Sequence, residues 1–217
     1  TAGSAYGFNL LLLTTITNNT ATTYRDNIAD SELTGSSRFY KDNTTSKYLM
    51  INGVQSMLVT SLSTTLGQYA GQGLSAGLAA GNTYFGNSVG QLVTSGSYNT
   101  AIGANALKFA STGGSNTIMG NGAAVLAYGS NNIYIGRNAG YYNQSGGASN
   151  TIVGTYSAFG SALSNYSNNA GYGASTLNTL RAGNYNTAIG TTTGYFLLDG
   201  SNNTFLGYQA GYQDING

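Results

Sequence analysis

Tyr98-Asn99-Thr100-Ala101-Ile102-Gly103 and Tyr185-Asn186-Thr187-Ala188-Ile189-Gly190 are the same hexamer, YNTAIG, written twice 87 residues apart. An exact repeat in a chain of 217 residues calls for looser copies nearby. They are NTYFG at 82–86, NTIMG at 116–120, NIYIG at 132–136, NTIVG at 150–154 and NTFLG at 203–207, with a degenerate NAGYG at 169–173. The closing glycines, Gly86, Gly103, Gly120, Gly136, Gly154, Gly173, Gly190 and Gly207, are separated by 17, 17, 16, 18, 19, 17 and 17 residues. A weak earlier copy, Thr64-Thr65-Leu66-Gly67, places the start of the array near residue 63. A short fixed period rich in Gly, Asn and Thr predicts an all-β fold. It is a parallel β-solenoid (β-roll or β-helix) over residues 63–217, with about 17 residues per coil and roughly eight to nine coils.

Each unit then assigns roles by position. The third residue after Asn is Phe85, Ile102, Met119, Ile135, Val153, Ile189 or Leu206, and this column is expected to be the core. Strand side chains alternate, so the preceding residue (Tyr84, Ala101, Ile118, Tyr134, Ile152, Ala188, Phe205) is expected to face outward. That outer column is apolar, which predicts contact with another chain. Asn82, Asn99, Asn116, Asn132, Asn150, Asn186 and Asn203 are expected to form a side-chain ladder. The glycine after each strand permits a positive φ at the turn.

Residues 1–62 lack the period and read as a separate N-terminal β module for attachment or lead-in. It holds four of the six acids (Asp26, Asp30, Glu32, Asp42) and four of the seven bases (Arg25, Arg38, Lys41, Lys47). Arg38-Phe39-Tyr40-Lys41 and Lys47-Tyr48-Leu49-Met50-Ile51 read as strands about a turn, and Val54 to Val59 as a third strand leading into the first coil.

Composition excludes several classes of function. Charged residues are 6 %, against roughly 25 % in ordinary globular chains, while 41 % hydrophobic content argues against disorder. A net charge of +1, with Lys108, Arg137 and Arg181 the array's only bases, gives no track for nucleic acid. The longest aliphatic run, Leu10 to Leu13, is far short of the ~20 residues of a membrane-spanning helix, so no membrane insertion is expected. Cys is absent, which rules out disulfides and thiolate metal sites and leaves the redox compartment open. A chain opening on Thr1 reads as a fragment or a processed product.

With the repeat laid out, Gly200-Ser201-Asn202-Asn203-Thr204-Phe205-Leu206-Gly207-Tyr208-Gln209-Ala210-Gly211-Tyr212 resembles the Gly/Asn-rich repeats of bacteriophage tail-fibre proteins. It is also similar to the head repeats of trimeric autotransporter adhesins, whose coil unit is shorter. The likeness extends over about residues 49–217. It implies a homotrimer in a virion tail fibre that binds other tail or fibre proteins and a host-surface glycan or protein. The alternative location is a bacterial cell surface, as an adhesin or extracellular filament subunit. Solenoid handedness and coil cross-section stay open.

Catalytic patterns are few. Gly73-Leu74-Ser75-Ala76-Gly77 matches the nucleophile elbow, but the chain has no His to serve as base. Asp199 and Asp214 are the array's only acids, which is thin ground for paired-carboxylate hydrolysis or metal binding. The sequence therefore predicts neither an enzyme nor a cofactor. Tyr141, Tyr142 and Tyr156, near turns, are candidates for stacking on a glycan. An ice-binding solenoid is a further candidate because Thr recurs at 83, 100, 117, 151, 187 and 204. Sharing a strand face with the expected core column, those threonines are expected to point inward, which counts against it.

Overall fold

The computed structural model describes residues 38–41, 47–51, 54–59, 63–74, 79–144, 146–161 and 164–215. The chain divides into two compact units, Thr1–Thr34 and Gly35–Gly217. The first lies outside the described residues, as does the rest of the 1–62 segment apart from three strands, and only the second is considered below.

Those strands are β1 (Arg38–Lys41), β2 (Lys47–Ile51) and β3 (Val54–Val59), an antiparallel meander at the expected residues. β4 (Thr64–Leu66) pairs antiparallel with β3 and is the first rung of a parallel array. The array continues through β5 (Thr83–Phe85), β6 (Thr100–Ile102), β7 (Thr117–Met119), β8 (Ile133–Ile135), β9 (Thr151–Val153), β10 (Ala170–Tyr172), β11 (Thr187–Ile189) and β12 (Thr204–Leu206). Sheet order follows chain order, so each coil stacks on the one before it, and no helix occurs among the described residues. The chain is a β-solenoid, and pairing is in register throughout the parallel array β4–β12: Thr100, Ala101 and Ile102 lie opposite Thr117, Ile118 and Met119.

The strand is three residues long because its flanks turn the chain. The closing glycines take φ between 117° and 146°. A Cβ on Gly120 would lie 2.5 Å from the carbonyl oxygen of Gly136 in the next coil, so this column admits glycine alone. A second wall follows the turn. Leu92 N–H donates to Lys108 O at 2.9 Å, Phe109 N–H to Val125 O at 2.9 Å and Leu126 N–H to Tyr141 O at 3.0 Å, a ladder repeated as far as Phe196 to Tyr212.

Between the two walls lies the core, and here the sequence expectation is reversed. The middle residue of each strand points inward: Tyr84, Ala101, Ile118, Tyr134, Ile152 and Ala188 are essentially inaccessible. The column expected in the core faces solvent. Phe85 is 55 % exposed and Leu206 74 %, with Ile102, Met119 and Ile189 also exposed and Ile135 and Val153 half-buried. The alternation was sound but the phase was wrong. The outward column is uniformly large and apolar, whereas the inward one varies from Gly171 to Tyr134 and so looks like the poorer core.

The variation has a reason. In most coils a second inward residue, six positions after the first, carries the complementary bulk: Tyr84 with Gly90, Ala101 with Leu107, Ile118 with Ala124, Tyr134 with Gly140, Gly171 with Leu177 and Phe205 with Gly211. Ala188 with Gly194 is the exception, and there Leu177 and Phe205 of the neighbouring coils approach Gly194. A Cβ on Gly90 would lie 2.4 Å from the Tyr84 ring, one on Gly140 2.5 Å from Tyr134 and one on Gly211 2.4 Å from Phe205. The second position is left-handed, with φ 54° at Gly90, so glycine suits it. Where the partner is small, leucine fills the space in that same conformation, at φ 53° for Leu107 and 50° for Leu177.

This pairing predicts a compensated exchange. Tyr84→Ala should cost roughly 3–5 kcal/mol, as for large aromatic truncations in a core. Gly90→Leu alone should also destabilise, through overpacking against Tyr84. The double variant, which copies the Ala101–Leu107 coil, should recover at least half of the summed loss in urea unfolding. Additive losses would show that the two positions do not share one space.

Candidate interaction surface

The corner before each strand is built on asparagine. Asn99 donates from Nδ2 to Asn82 Oδ1 (3.2 Å) and to Gly113 O (2.9 Å), and its backbone N–H reaches Asn82 Oδ1 at 2.9 Å. Its own Oδ1 accepts from the N–H and Nδ2 of Asn116, at 3.1 and 2.9 Å. Every polar atom of the buried carboxamide is thus used, as burial requires. The ladder runs on through Asn132, Asn150, Asn169, Asn186 and Asn203. Asn169 belongs to it although its coil is degenerate, and only the position of the NAGYG copy in the period could have signalled that.

Where coils lengthen, between Gly136 and Gly173, a buried polar cluster fills the corner. Asn143 Nδ2 donates to Tyr134 Oη at 2.8 Å, and Tyr166 Oη donates to Ala158 O at 2.6 Å. Burial raises the Tyr134 hydroxyl to about 12, partly offset by the hydrogen bonds donated by Asn143 and Asn150. Burial, and then Tyr134 beside it, raises Tyr166 well above the usual tyrosine value. Tyr84 is raised by burial too, with Asn99 offsetting a smaller part, although no hydrogen bond of normal geometry reaches the Tyr84 hydroxyl.

Two surfaces of the array are apolar. The sheet wall carries the Thr column and, two residues on, the column of Leu66, Phe85, Ile102, Met119, Tyr172, Ile189 and Leu206, with no charged residue in β4–β12. The other wall carries a groove lined by Leu92, Phe109, Leu126 and Tyr128, with Thr94 and Ser111 beside them. Further along it the structure gathers the sequence's tyrosine candidates: Tyr141, Tyr142 and Tyr156 pack around Phe159, with ring centroids 5.2, 5.2 and 5.9 Å from it. The Arg137 guanidinium lies 5.4 Å from the Tyr156 ring centroid. All four rings are half-buried against one another, and Tyr142 meets Phe159 edge to face, so they brace the wall more than they offer free faces. Tyr195, Phe196 and Tyr212 repeat the arrangement.

Of the two acids in the array, Asp199 is joined to Arg181 by an exposed bidentate ion pair. The hydrogen bond from Arg181 holds the Asp199 carboxyl below its usual value. No group of three metal-ligating side chains occurs among the described residues, and no helix there is long and apolar enough to cross a membrane. No protein-family model, curated protein or solved structure matches the chain.

The buried tyrosines predict an alkaline limit. Unfolded tyrosines ionise near pH 10, whereas the folded chain keeps these three protonated to higher pH. Between about pH 10 and 12 the unfolded state therefore binds fewer protons, and stability falls by about 1.4 kcal/mol per pH unit for each such group. Below that window they leave stability independent of pH. Melting temperature should drop steeply above about pH 10, and less steeply in Tyr134→Phe than in the parent chain. Equal slopes would show that Tyr134 is not held protonated.

Proposed function

We propose that this chain is a structural segment of an extracellular fibre, a homotrimeric shaft of the phage tail-fibre kind that holds a receptor-binding tip away from its base. The observation that carries this is the sheet wall: nine parallel strands in register, uncharged, with large apolar side chains outward in every coil and exposed in most. Contiguous apolar surface on this scale marks a contact between chains. Stiffness follows from the continuous backbone and Asn ladders, and the repeat's resemblance to tail-fibre arrays supports the setting. Sedimentation equilibrium on the purified chain should give three times the monomer mass, unchanged on dilution into the low micromolar range. A soluble monomer would overturn the assignment.

A second reading has its own observation. Thr64, Thr83, Thr100, Thr117 and Thr204 point outward and are exposed, in one column on the sheet wall. The expectation that these threonines face inward is corrected, and with it the objection to an ice-binding surface. A regular hydroxyl and methyl array at the ~4.8 Å strand spacing is a surface able to order water. Such a protein would show thermal hysteresis that falls sharply in Thr117→Lys; no hysteresis in the parent chain would remove this reading.

A further inference from the structure

We infer that copies of this chain join through two unlike walls, the sheet wall of one copy lying on the grooved wall of the next. This rests on the fibre reading above and says which surfaces form its seam.

Area decides between arrangements. Nine strands at ~4.8 Å and three residues at ~3.3 Å give the sheet wall a footprint of roughly 430 Å². A stable interface takes about 800 Å² from each partner, so two copies meeting sheet to sheet fall well short. They would also leave the other wall uncovered, where Leu92 is 48 %, Phe109 37 % and Phe196 40 % exposed. That wall repeats the same outward–inward–outward alternation, with Val93 and Ala110 buried between Leu92 and Thr94 and between Phe109 and Ser111. Its footprint is therefore similar. Each sheet-on-groove contact covers no more than that, but in a closed ring every copy makes two of them, so about twice the area of each copy is covered, which reaches the size of a stable assembly.

The chemistry of the walls matches. In the coil that starts with β6 the sheet wall shows Thr100 beside Ile102, and the grooved wall Phe109 beside Ser111. In the coil that starts with β5 the sheet wall shows Thr83 beside Phe85, and the grooved wall Leu92 beside Thr94. In these two coils each wall thus carries one bulky apolar residue and one hydroxyl, so apolar can face apolar and hydroxyl face hydroxyl; further along, the grooved wall keeps bulky side chains at Leu126, Tyr142 and Phe196 but not the hydroxyl column. Lys108 flanks the groove with its ammonium 5.2 Å from the Phe109 ring centroid, and no charge on the sheet wall repels it. Such a contact is heterologous, and it closes into a ring when the rotation between copies allows.

The absence of native cysteine makes the test direct. Ile102→Cys places a thiol on the sheet wall, and Leu92→Cys, Phe109→Cys and Leu126→Cys place one on the grooved wall in three successive coils, which allows for a slide of one coil. All four positions are at least partly exposed, and circular dichroism of each variant confirms that it folds. After oxidation, Ile102→Cys alone should give no more cross-linked product than the parent chain. Refolded together with the three grooved-wall variants in turn, it should cross-link with at least one, at least tenfold above either alone. Efficient cross-linking of Ile102→Cys with itself, or none in any mixture while sedimentation reports an oligomer, would overturn the two-wall contact and leave the fibre reading standing. A monomer in sedimentation would remove both.

Discussion

The carboxamide ladder at the coil corner is the constraint on which the other features depend. An asparagine side chain has two donors and two lone pairs, and stacking identical residues one coil apart, with one backbone carbonyl for the remaining donor, satisfies all four. That closure works only if every coil returns to the same place at the same height. A longer side chain would not fit, and a carboxylate would lose both donors and bury a charge. The carbonyl taken by the remaining Nδ2 proton comes from Gly96, Gly113, Gly129, Gly147, Gly183 and Gly200 in the regular corners. There too a side chain would collide with the next coil, since a Cβ on Gly113 would lie 2.2 Å from Gly129 O. In the longest coil Tyr166 supplies the carbonyl, at 2.9 Å from Asn150 Nδ2, and its own ring is then accommodated by Tyr134 and Asn143.

Because the corners are fixed, the space between the walls is nearly constant from coil to coil, and the sequence is free to fill it in more than one way. The coil at 169–173 shows the freedom. Its strand has lost threonine and carries Gly171 at the inward position, yet Leu177 supplies the missing volume and Asn169 continues the ladder. A coil can therefore depart from the consensus in its strand and remain a full member of the stack.

The period, the parallel array and the three strands that precede it were legible in the sequence, because register-locked stacking writes the same corner residues at every turn. The direction in which each strand residue points was not. Ile102 and Met119 look like better core residues than Ala101 and Ile118 when each column is read alone. The signal that sets the phase is a correlation between columns, Tyr84 against Gly90 and Ala101 against Leu107, and it appears only when residues six apart are compared coil by coil. The tyrosine candidates share this limit. Their clustering around Phe159 depends on coils of unequal length, so no fixed spacing announces it.

The scarcity of charge has its cause in the same geometry. Side chains in one column sit about one strand spacing apart, and two like charges at ~4.8 Å repel by about 1 kcal/mol in water and several times that near a protein surface. A charged column would accumulate that cost at every coil. The three bases of the array accordingly occupy different columns, and Arg181 meets Asp199 across adjacent coils, where stacking brings opposite charges together. Low charge thus follows from being a solenoid of short coils and does not by itself point to a partner. What does is the placement of large apolar residues on both outer walls, where threonine or serine would satisfy the fold equally well.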